Sequence, residues 1–295
     1  MLGFSQIGAE STWRVANSKS IKDAAEQAGI KLVFSDAQQS QANQLKAIKS
    51  FILQKVDVIA VSPVTSSGWR EVLSKAKKAG IPVITLDRQI DDKDADLTVS
   101  FIGSDFKEEG RKIAQCMLEE ANIKKRTGPI HIVELRGTEG SSPATQRKAG
   151  FAEIIKPYPN FKIIRSENGD FKETLGKELM QNILRETKNK GEVVHVVFAH
   201  NDNMAFGAIA ALEAAGLTPG KDVSVFSIDA IRDAFVAMKQ GKLNCTMECN
   251  PLLGPQLMTA VQDLMDGKSI PRRVVTVEKL FPASTAEAEL PNRKY

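Results

Sequence analysis

Residues 32–63, LVFSDAQQSQANQLKAIKSFILQKVDVIAVSP, contain the repeating unit that decides the fold. The stretch opens with the apolar run Leu32–Phe34 and closes with a second run, Val56–Val61. Short runs rich in Val and Ile with little alternation are typical of strands buried on both faces of a parallel sheet. Between the runs, Ile48 and Phe51 recur at the spacing of one helical face. The stretch therefore predicts a strand, a helix and a parallel strand in succession.

The same unit recurs along the 295 residues of the chain. The other apolar runs are Leu2–Phe4, Pro82–Leu86, Thr98–Ile102, Ile130–Leu135, Phe161–Ile164, Val193–Ala199 and Val223–Ile228. Glycines stand where the intervening helices should end, at Gly29, Gly80, Gly216 and Gly241. Alternation of strand and helix predicts α/β sheets, and two successive series predict two doubly wound, parallel-sheet lobes. Because no linker rich in Pro or Ser separates the series, short hinge crossovers should join the lobes.

The distribution of charge along the chain argues against a nucleic-acid partner. The chain has 40 basic and 36 acidic residues, a formal net charge of +4, and its lysines are scattered. Nucleic-acid-binding surfaces concentrate positive charge in a stripe, so we expect no nucleic-acid partner. No apolar stretch reaches the roughly 18 residues that a membrane-spanning helix needs.

The cysteines and the first residues leave the cellular compartment open. An odd count of three excludes complete pairing within the chain. If residues 244–248 form a strand, Cys245 and Cys249 lie roughly 13 Å apart, beyond the roughly 7 Å that a disulfide allows between Cα atoms. The residues after Met1 show neither the basic nor the apolar region of a signal peptide. A cytosolic protein and an exported one whose leader was removed both fit.

Charged and amide side chains follow nearly every predicted strand. In open α/β sheets, ligands bind outside the carboxyl ends of the strands. The segments at these ends are residues 6–14, Asp36, Ser62-Pro63, Asp87-Arg88, residues 134–136, residues 168–171, residues 200–202 and Asp229. Solvated loops favour Ser, Gly and Lys, whereas Asp, Asn and Arg dominate here. The pattern predicts a polar binding site along the carboxyl edges.

This set of side chains suits a polyol. Carboxylates and amides accept hydrogen bonds from hydroxyls, while guanidinium groups and amides donate to them, and a planar fork grips two vicinal hydroxyls. The rings of Trp13 and Phe171 supply flat apolar faces for a sugar. The near-balanced charges favour a neutral ligand over an anion: they are Arg14, Arg88 and Arg147 against Glu10, Asp87, Asp229 and Glu248.

Motifs of enzyme chemistry are missing from the sequence. It contains no HExxH, no GxSxG and no GxxxxGK[ST]. No nucleophile stands beside a base. His131 and His195 fall inside apolar runs and are predicted to lie in the core, whereas His200 follows a strand and could be functional. We expect no enzymatic activity, no cofactor and no metal.

The motifs together resemble a known family, the ribose/galactose-type periplasmic sugar-binding proteins of ABC importers. The resemblance covers essentially the whole chain. It is carried by Gly3–Gln6, Asp36 with Gln38, Gln39 and Asn43, Val56–Ile59 before Ser62-Pro63, Ile81–Val83, Leu86–Arg88, Arg147–Phe151, His200–Asp202 and Ser227–Asp229. Within the family, residues 10–14 and Met247-Glu248 look like the galactofuranose-binding branch. Thr12 departs from the glycine expected in that branch, which leaves the geometry of its loop open.

The resemblance implies roles for individual side chains. Trp13 and Phe171 would pack on the sugar ring. The hydrogen-bonding residues would be Glu10, Ser11, Arg14, Asp87, Arg88, Arg147, Asn201, Asp229 and Glu248.

The resemblance also implies the type I periplasmic binding protein fold. The expected lobes are residues 1–104 plus 251–280 and residues 105–250 plus 281–295, with the sugar in the cleft between them. A monomer outside the cytoplasmic membrane, its signal removed, would deliver a galactofuranose-like monosaccharide to an ABC permease in the inner membrane.

Three alternatives remain at this point. The same fold serves as the ligand domain of LacI-type regulators, which need a DNA-binding headpiece before the first strand. A binding protein can also feed a chemoreceptor or sensor kinase. A doubly wound enzyme would need the catalytic groups that the sequence lacks.

Overall fold

The computed structural model describes residues 1–295, except for the side chains of residues 121 and 122. The chain divides into two compact units. The first unit comprises residues 1–105, 140–142 and 250–277, and the second comprises residues 106–139, 143–249 and 278–295.

The described chain contains twelve strands and eleven α-helices, which alternate over most of its length. The strands are β1 (Leu2–Gln6), β2 (Leu32–Asp36), β3 (Val58–Val61), β4 (Val83–Leu86), β5 (Ser100–Gly103), β6 (Ile130–Arg136), β7 (Phe161–Asn168), β8 (Val196–Ala199), β9 (Ser224–Asp229), β10 (Cys245–Glu248), β11 (Arg273–Val275) and β12 (Leu280–Pro282). The helices are α1 (Thr12–Gln27), α2 (Gln41–Leu53), α3 (Arg70–Lys78), α4 (Phe106–Glu119), α5 (Ala121–Lys124), α6 (Ser142–Ile155), α7 (Glu173–Asn189), α8 (Asp202–Ala214), α9 (Arg232–Lys239), α10 (Gly254–Met265) and α11 (Ala286–Glu289).

Each unit contains a six-stranded sheet. The strand order is β11-β5-β4-β3-β1-β2 in the first and β12-β10-β9-β8-β6-β7 in the second. All pairings are parallel except that of β12 with β10. The predicted fold class of two doubly wound parallel sheets is confirmed. The edge strands β11 and β12 were not predicted, because three residues are too few to form a recognisable apolar run.

Helices cover both faces of the first sheet, and each face has its own core. On one face, α1 and α10 bury Ile21 and Leu257 against Phe4 of β1. On the other face, α2 brings the predicted apolar stripe, including Ile48 and Phe51, against β3 and α3. Burial of both faces explains why the strand sequences do not alternate.

The predicted helix stops are also confirmed. The four glycines lie directly after the C-caps of α1, α3, α8 and α9, with φ angles between +66° and +77°. This left-handed conformation is one that glycine adopts without steric cost.

Two short segments lie in the other unit from the one expected. Residues 140–142 lie in the first unit because Gly140 O accepts a hydrogen bond from Ser66 N, and the Ser142 hydroxyl accepts one from Gln89 N. Residues 278–280 lie in the second unit because β12 begins at Leu280 and pairs with β10. The remaining limits differ from the expected ones by one residue, at 105 and at 250.

A disulfide joins Cys116 of α4 to Cys245 of β10, with Cα atoms 6.7 Å apart. Cys249 is a buried free thiol. Sequence spacing excluded only the local pair of Cys245 with Cys249, since the true partner lies 129 residues away. Among the described residues, none of the helices combines the length and the hydropathy that a membrane-spanning segment requires.

The disulfide should stabilise the folded chain. Replacing both Cys116 and Cys245 by Ser should lower the free energy of unfolding by about 2–4 kcal/mol, because the crosslink closes a long loop in the unfolded state. Denaturant titrations with and without a reducing agent measure the loss. Reductant should shift the wild type towards the double variant and leave the variant unchanged. A wild-type curve that ignores reductant would contradict a structural role for the bond.

Candidate functional site

A buried guanidinium organises the polar residues of the first unit. Arg14 is only 3% exposed. Its Nη2 donates to Asp87 Oδ2 at 2.6 Å, its Nε donates to Glu10 Oε1 at 3.1 Å, and its Nη1 donates to Gln6 Oε1 at 3.3 Å. Three acceptors from three chain segments therefore fix one side chain.

The ends of two strands and the start of one helix bring this cluster together. Gln6 ends β1, and Asp87 follows β4 directly. Ser11 is the N-cap of α1, and its hydroxyl accepts from Arg14 N at 3.2 Å. Glu10, just before this cap, reaches Arg14 across one helical turn. The cluster lies at the carboxyl edge of the sheet, where the sequence placed it.

Trp13 and Arg88 complete the first cluster. The Arg14 guanidinium carbon lies 4.6 Å from the centroid of the Trp13 ring, which is buried. Arg88 Nη1 donates to Val64 O at 2.9 Å. Burial by itself would raise the pKa of Glu10, but the positive charges of Arg14 and Arg88 bring that pKa below its usual value. Two guanidinium groups thus face two carboxylates, and their formal charges cancel.

One buried acceptor of the first cluster is unused. Glu10 Oε2 has no hydrogen-bond partner in the described part of the chain. A buried carboxylate oxygen without a donor is costly. The position suits a hydroxyl donor from a ligand.

A second buried guanidinium, that of Arg147 on α6, organises the second unit. It is 3% exposed, and its Nε donates to Glu109 Oε2 at 2.7 Å. Its Nη1 donates to the backbone carbonyl of His200, and its Nη2 lies 3.8 Å from Asp229 Oδ1. The guanidinium carbon lies 5.9 Å from the centroid of the Phe171 ring.

Asn201 ties the Phe171 loop to the start of α8. Its Nδ2 donates to Phe171 O at 3.1 Å, while its Oδ1 caps the helix by accepting from Met204 N at 3.0 Å. Phe171 has a φ of +61°, a left-handed conformation that needs such an anchor. Gly137 leaves space for the Phe171 ring, because a Cβ at residue 137 would lie only 1.8 Å from that ring.

Glu248 has partners outside this cluster. Its Oε1 accepts from Arg293 Nη2 at 2.9 Å and from the Tyr295 hydroxyl at 3.0 Å. Its Oε2 accepts from Lys279 N at 3.2 Å. The carboxylate therefore holds the C-terminal segment against β10, and its role towards a sugar stays a prediction.

Sequence reasoning missed Glu109. Glu109 follows Glu108 in the first turn of α4, and the sequence pattern there is typical of a solvated acidic face. In the structure α4 and α6 approach closely at glycines: a Cβ on Gly110 would lie 2.2 Å from Arg147 O, and one on Gly150 would lie 2.0 Å from Lys107 O. These two glycines were the available signal that the helices bury what lies between them.

Two of the three histidines are less buried than predicted. His131 and His195, predicted as core residues, are only half-buried. His200 is fully buried; its Nε2 lies 3.2 Å from Glu134 Oε1, and burial lowers its pKa. Its backbone carbonyl and not its ring contacts Arg147.

The geometry does not favour a metal site in the described residues. Ligand atoms of Glu109, Cys249 and Glu278 lie within 4.8 Å of one another. The guanidinium of Arg147, however, donates to Glu109 at 2.7 Å. A fixed positive charge in this position opposes a cation.

The chain is similar to known proteins over nearly its whole length. Residues 2–269 match the periplasmic binding protein domain family. The chain is 44% identical over 294 residues to the galactofuranose-binding protein YtfQ of Escherichia coli strain K12, covering 99% of this chain and 91% of that one.

Two solved structures are similar in fold and sequence. A Mycobacterium smegmatis protein in complex with β-D-fucofuranose has 49% identity and a TM-score of 0.95, covering 100% of this chain and 95% of that one. The periplasmic binding protein component of the arabinose ABC transporter from Shewanella sp. ANA-3, bound to α- and β-L-arabinofuranose, has 43% identity and a TM-score of 0.93, covering 99% and 95%.

The stability of the second cluster should depend on pH through Glu109. Burial raises the pKa of Glu109 from 4.5 to about 8, against the opposing charge of Arg147. Between these values the folded chain holds a proton that the unfolded chain has lost, so stability should fall with rising pH by up to about 1.4 kcal/mol per unit. Glu109→Gln removes this slope.

The free energy of unfolding of wild type and Glu109→Gln, measured from pH 5 to pH 9, checks the sign. The wild-type value minus the variant value should decline across the window and level off above about pH 8. Glu119→Gln, at the exposed end of the same helix, shows what removing a surface carboxylate does. Parallel wild-type and Glu109→Gln curves would contradict the shifted pKa.

Proposed function

This chain belongs to the periplasmic binding protein family, and on that basis we propose that it is the solute-binding protein of a bacterial sugar importer. It binds a neutral monosaccharide in furanose form and delivers it unchanged to an ABC permease. It acts as a monomer in the periplasm or outside the cell. The observation that carries the proposal is the charge-balanced pair of buried clusters around Arg14 and Arg147.

The first cluster offers a sugar both kinds of polar contact and a flat surface. The unused Oε2 of Glu10 can accept a hydrogen bond from a sugar hydroxyl. The guanidinium groups of Arg14 and Arg88 donate to hydroxyl oxygens in a planar fork. The ring of Trp13 packs against the apolar face of the sugar.

The second cluster offers the same combination. Arg147 and Asn201 donate, Asp229 accepts, and the Phe171 ring provides an apolar face. The charges of Arg147 and Asp229, which lie 3.8 Å apart, oppose each other. An anionic sugar would upset this balance, whereas a neutral one leaves it intact. We propose that each cluster contributes polar contacts and an aromatic face to sugar binding.

The furanose form is proposed from the relatives. The Escherichia coli relative is a galactofuranose-binding protein, and the two similar solved structures hold fucofuranose and arabinofuranose. These three sugars have five-membered rings and carry no charge.

We propose binding without catalysis because of how the carboxylates are engaged. Glu10 and Asp87 each contact Arg14, and Asp229 lies 3.8 Å from Arg147. The charge of Arg14 helps to keep the pKa of Glu10 below its usual value, which makes this carboxylate a poor general acid or base at neutral pH. These groups hold hydroxyls and leave the bonds of the sugar intact.

A ligand panel tests the proposed function. In a thermal-shift screen, L-arabinose, D-fucose or D-galactose should stabilise the protein, by about 2.7 kcal/mol at a hundred times the dissociation constant. The recovered sugar should be chemically unchanged by NMR. Stabilisation only by phosphorylated or acidic sugars, or conversion of the sugar to a product, would overturn the proposal.

The side chain of Asp229 should carry part of the affinity. Hydrogen bonds to charged groups contribute about 1.5–3 kcal/mol, so Asp229→Ala should weaken binding roughly tenfold to a hundredfold. Asp233→Ala, four residues on and exposed on α9, is the matched control and should bind as the wild type does. Calorimetric titration measures both. Equal affinities of the two variants would remove Asp229 from the site.

A further inference from the structure

The backbone is strained where β9 ends, at residues 229–230. Asp229 has a φ of +122° and Ala230 a φ of +56°. Side-chain-bearing residues rarely adopt these angles, and they persist only where surrounding contacts hold them. The turn therefore needs an anchor, and Asp229 depends on that anchor for its direction.

Asp202 supplies the anchor. Its Oδ2 accepts from Ile231 N at 2.8 Å. Its Oδ1 accepts from the Thr246 hydroxyl at 2.9 Å and from the Ser227 hydroxyl. The Thr246 oxygen in turn accepts from Ala230 N at 3.2 Å. The amides of both residues after Asp229 are thus tied to one carboxylate, directly or through one hydroxyl.

The carboxylate is costly to keep where it lies. Asp202 is fully buried, and burial raises its pKa to about 6 although Ser227, Ile231 and Thr246 all donate to it. A buried charge contributes less to stability than a well-packed apolar side chain of similar volume. Its location in the first turn of α8, where the helix dipole favours negative charge, offsets only part of that cost. A specific structural task explains its presence.

The two preceding residues perform parallel tasks. The backbone carbonyl of His200 accepts from Arg147, and the side chain of Asn201 donates to Phe171 O. Consecutive residues at the start of α8 therefore support the second cluster: His200 contacts Arg147, Asn201 contacts Phe171, and Asp202 holds the two residues that follow Asp229.

We infer that Asp202 is a positioning residue, which holds the left-handed turn at residues 229–230 through Thr246 and Ile231 and thereby sets sugar affinity through Asp229. Asp202 itself does not touch the sugar. The part of the inference that concerns affinity rests on the proposed function, whereas the part that concerns the turn does not.

The affinity test uses a pair of substitutions at Thr246. Thr246→Val removes the hydroxyl at nearly equal volume, and Thr246→Ser keeps it. Calorimetry should show affinity within about twofold of wild type for Thr246→Ser and a loss of roughly tenfold or more for Thr246→Val. Asp202→Ala should behave like Thr246→Val. If Asp202→Ala does not fold, the Thr246 pair decides the question alone.

Coupling to Asp229 separates positioning from general damage. In the Asp229→Ala background, Thr246→Val should weaken binding by no more than about threefold further, because the side chain that it positions is gone. An undiminished loss in that background, or an equal loss in Thr246→Ser and Thr246→Val, would overturn the inference.

A measurement without sugar keeps the two proposals apart. Amide hydrogen exchange at Ala230 and Ile231 should be slow in wild type and Thr246→Ser and fast in Thr246→Val, while Val197 in β8 stays protected in all three. If no sugar binds the wild type, the proposed function fails and exchange alone decides whether Asp202 holds the turn. Unchanged exchange in Thr246→Val, or faster exchange with unchanged sugar affinity, would refute the positioning role.

Discussion

A guanidinium group taken out of water must be surrounded by acceptors, and this requirement shapes both units. Arg14 draws together the end of β1, the start of α1 and the residue after β4. Arg147 draws together α4, α6, the residue after β8 and the last residue of β9. Parallel sheets deliver these segments to one edge, so the fold supplies the acceptors that each guanidinium needs. The polar clusters follow from the sheet topology.

The second cluster shows how much support a binding side chain requires. Phe171 and Asp229 both have positive φ angles. Residues at the start of α8 hold Phe171 itself and, beside Asp229, the amide of Ile231, and α8 is one of the most buried helices of its unit. The buried helix α8 thus fixes the loops at Phe171 and Asp229. Their donors and acceptors are therefore in place before a ligand binds.

Strand positions and strand ends could be predicted because their signals are local. Apolar runs of Val and Ile located β1 to β9, and the polar residues directly after them included Asp87, Asn201 and Asp229. Periodicity in α2 identified the face that carries Ile48 and Phe51. Glycine after a helix marked its end for the same reason, since the preference for φ above zero belongs to the residue itself.

Partners distant in sequence could not be predicted. Glu109 reads as surface charge until α6 places Arg147 against it, and Glu248 contacts Arg293 from 45 residues away. Cys116 and Cys245 pair across 129 residues, and the edge strands β11 and β12 carry too short a pattern to find. Whether a polar side chain meets a ligand or another side chain depends on these long-range contacts, which composition and spacing do not encode.

Calorimetric titration of the wild type, Arg14→Lys and Arg147→Lys with the same neutral sugar tests the central claim most directly. Lysine keeps the charge but loses the planar fork that grips two acceptors. The account predicts one sugar per chain and a loss of roughly tenfold or more in each variant. Full affinity in either variant would contradict the claim that its guanidinium group binds the sugar.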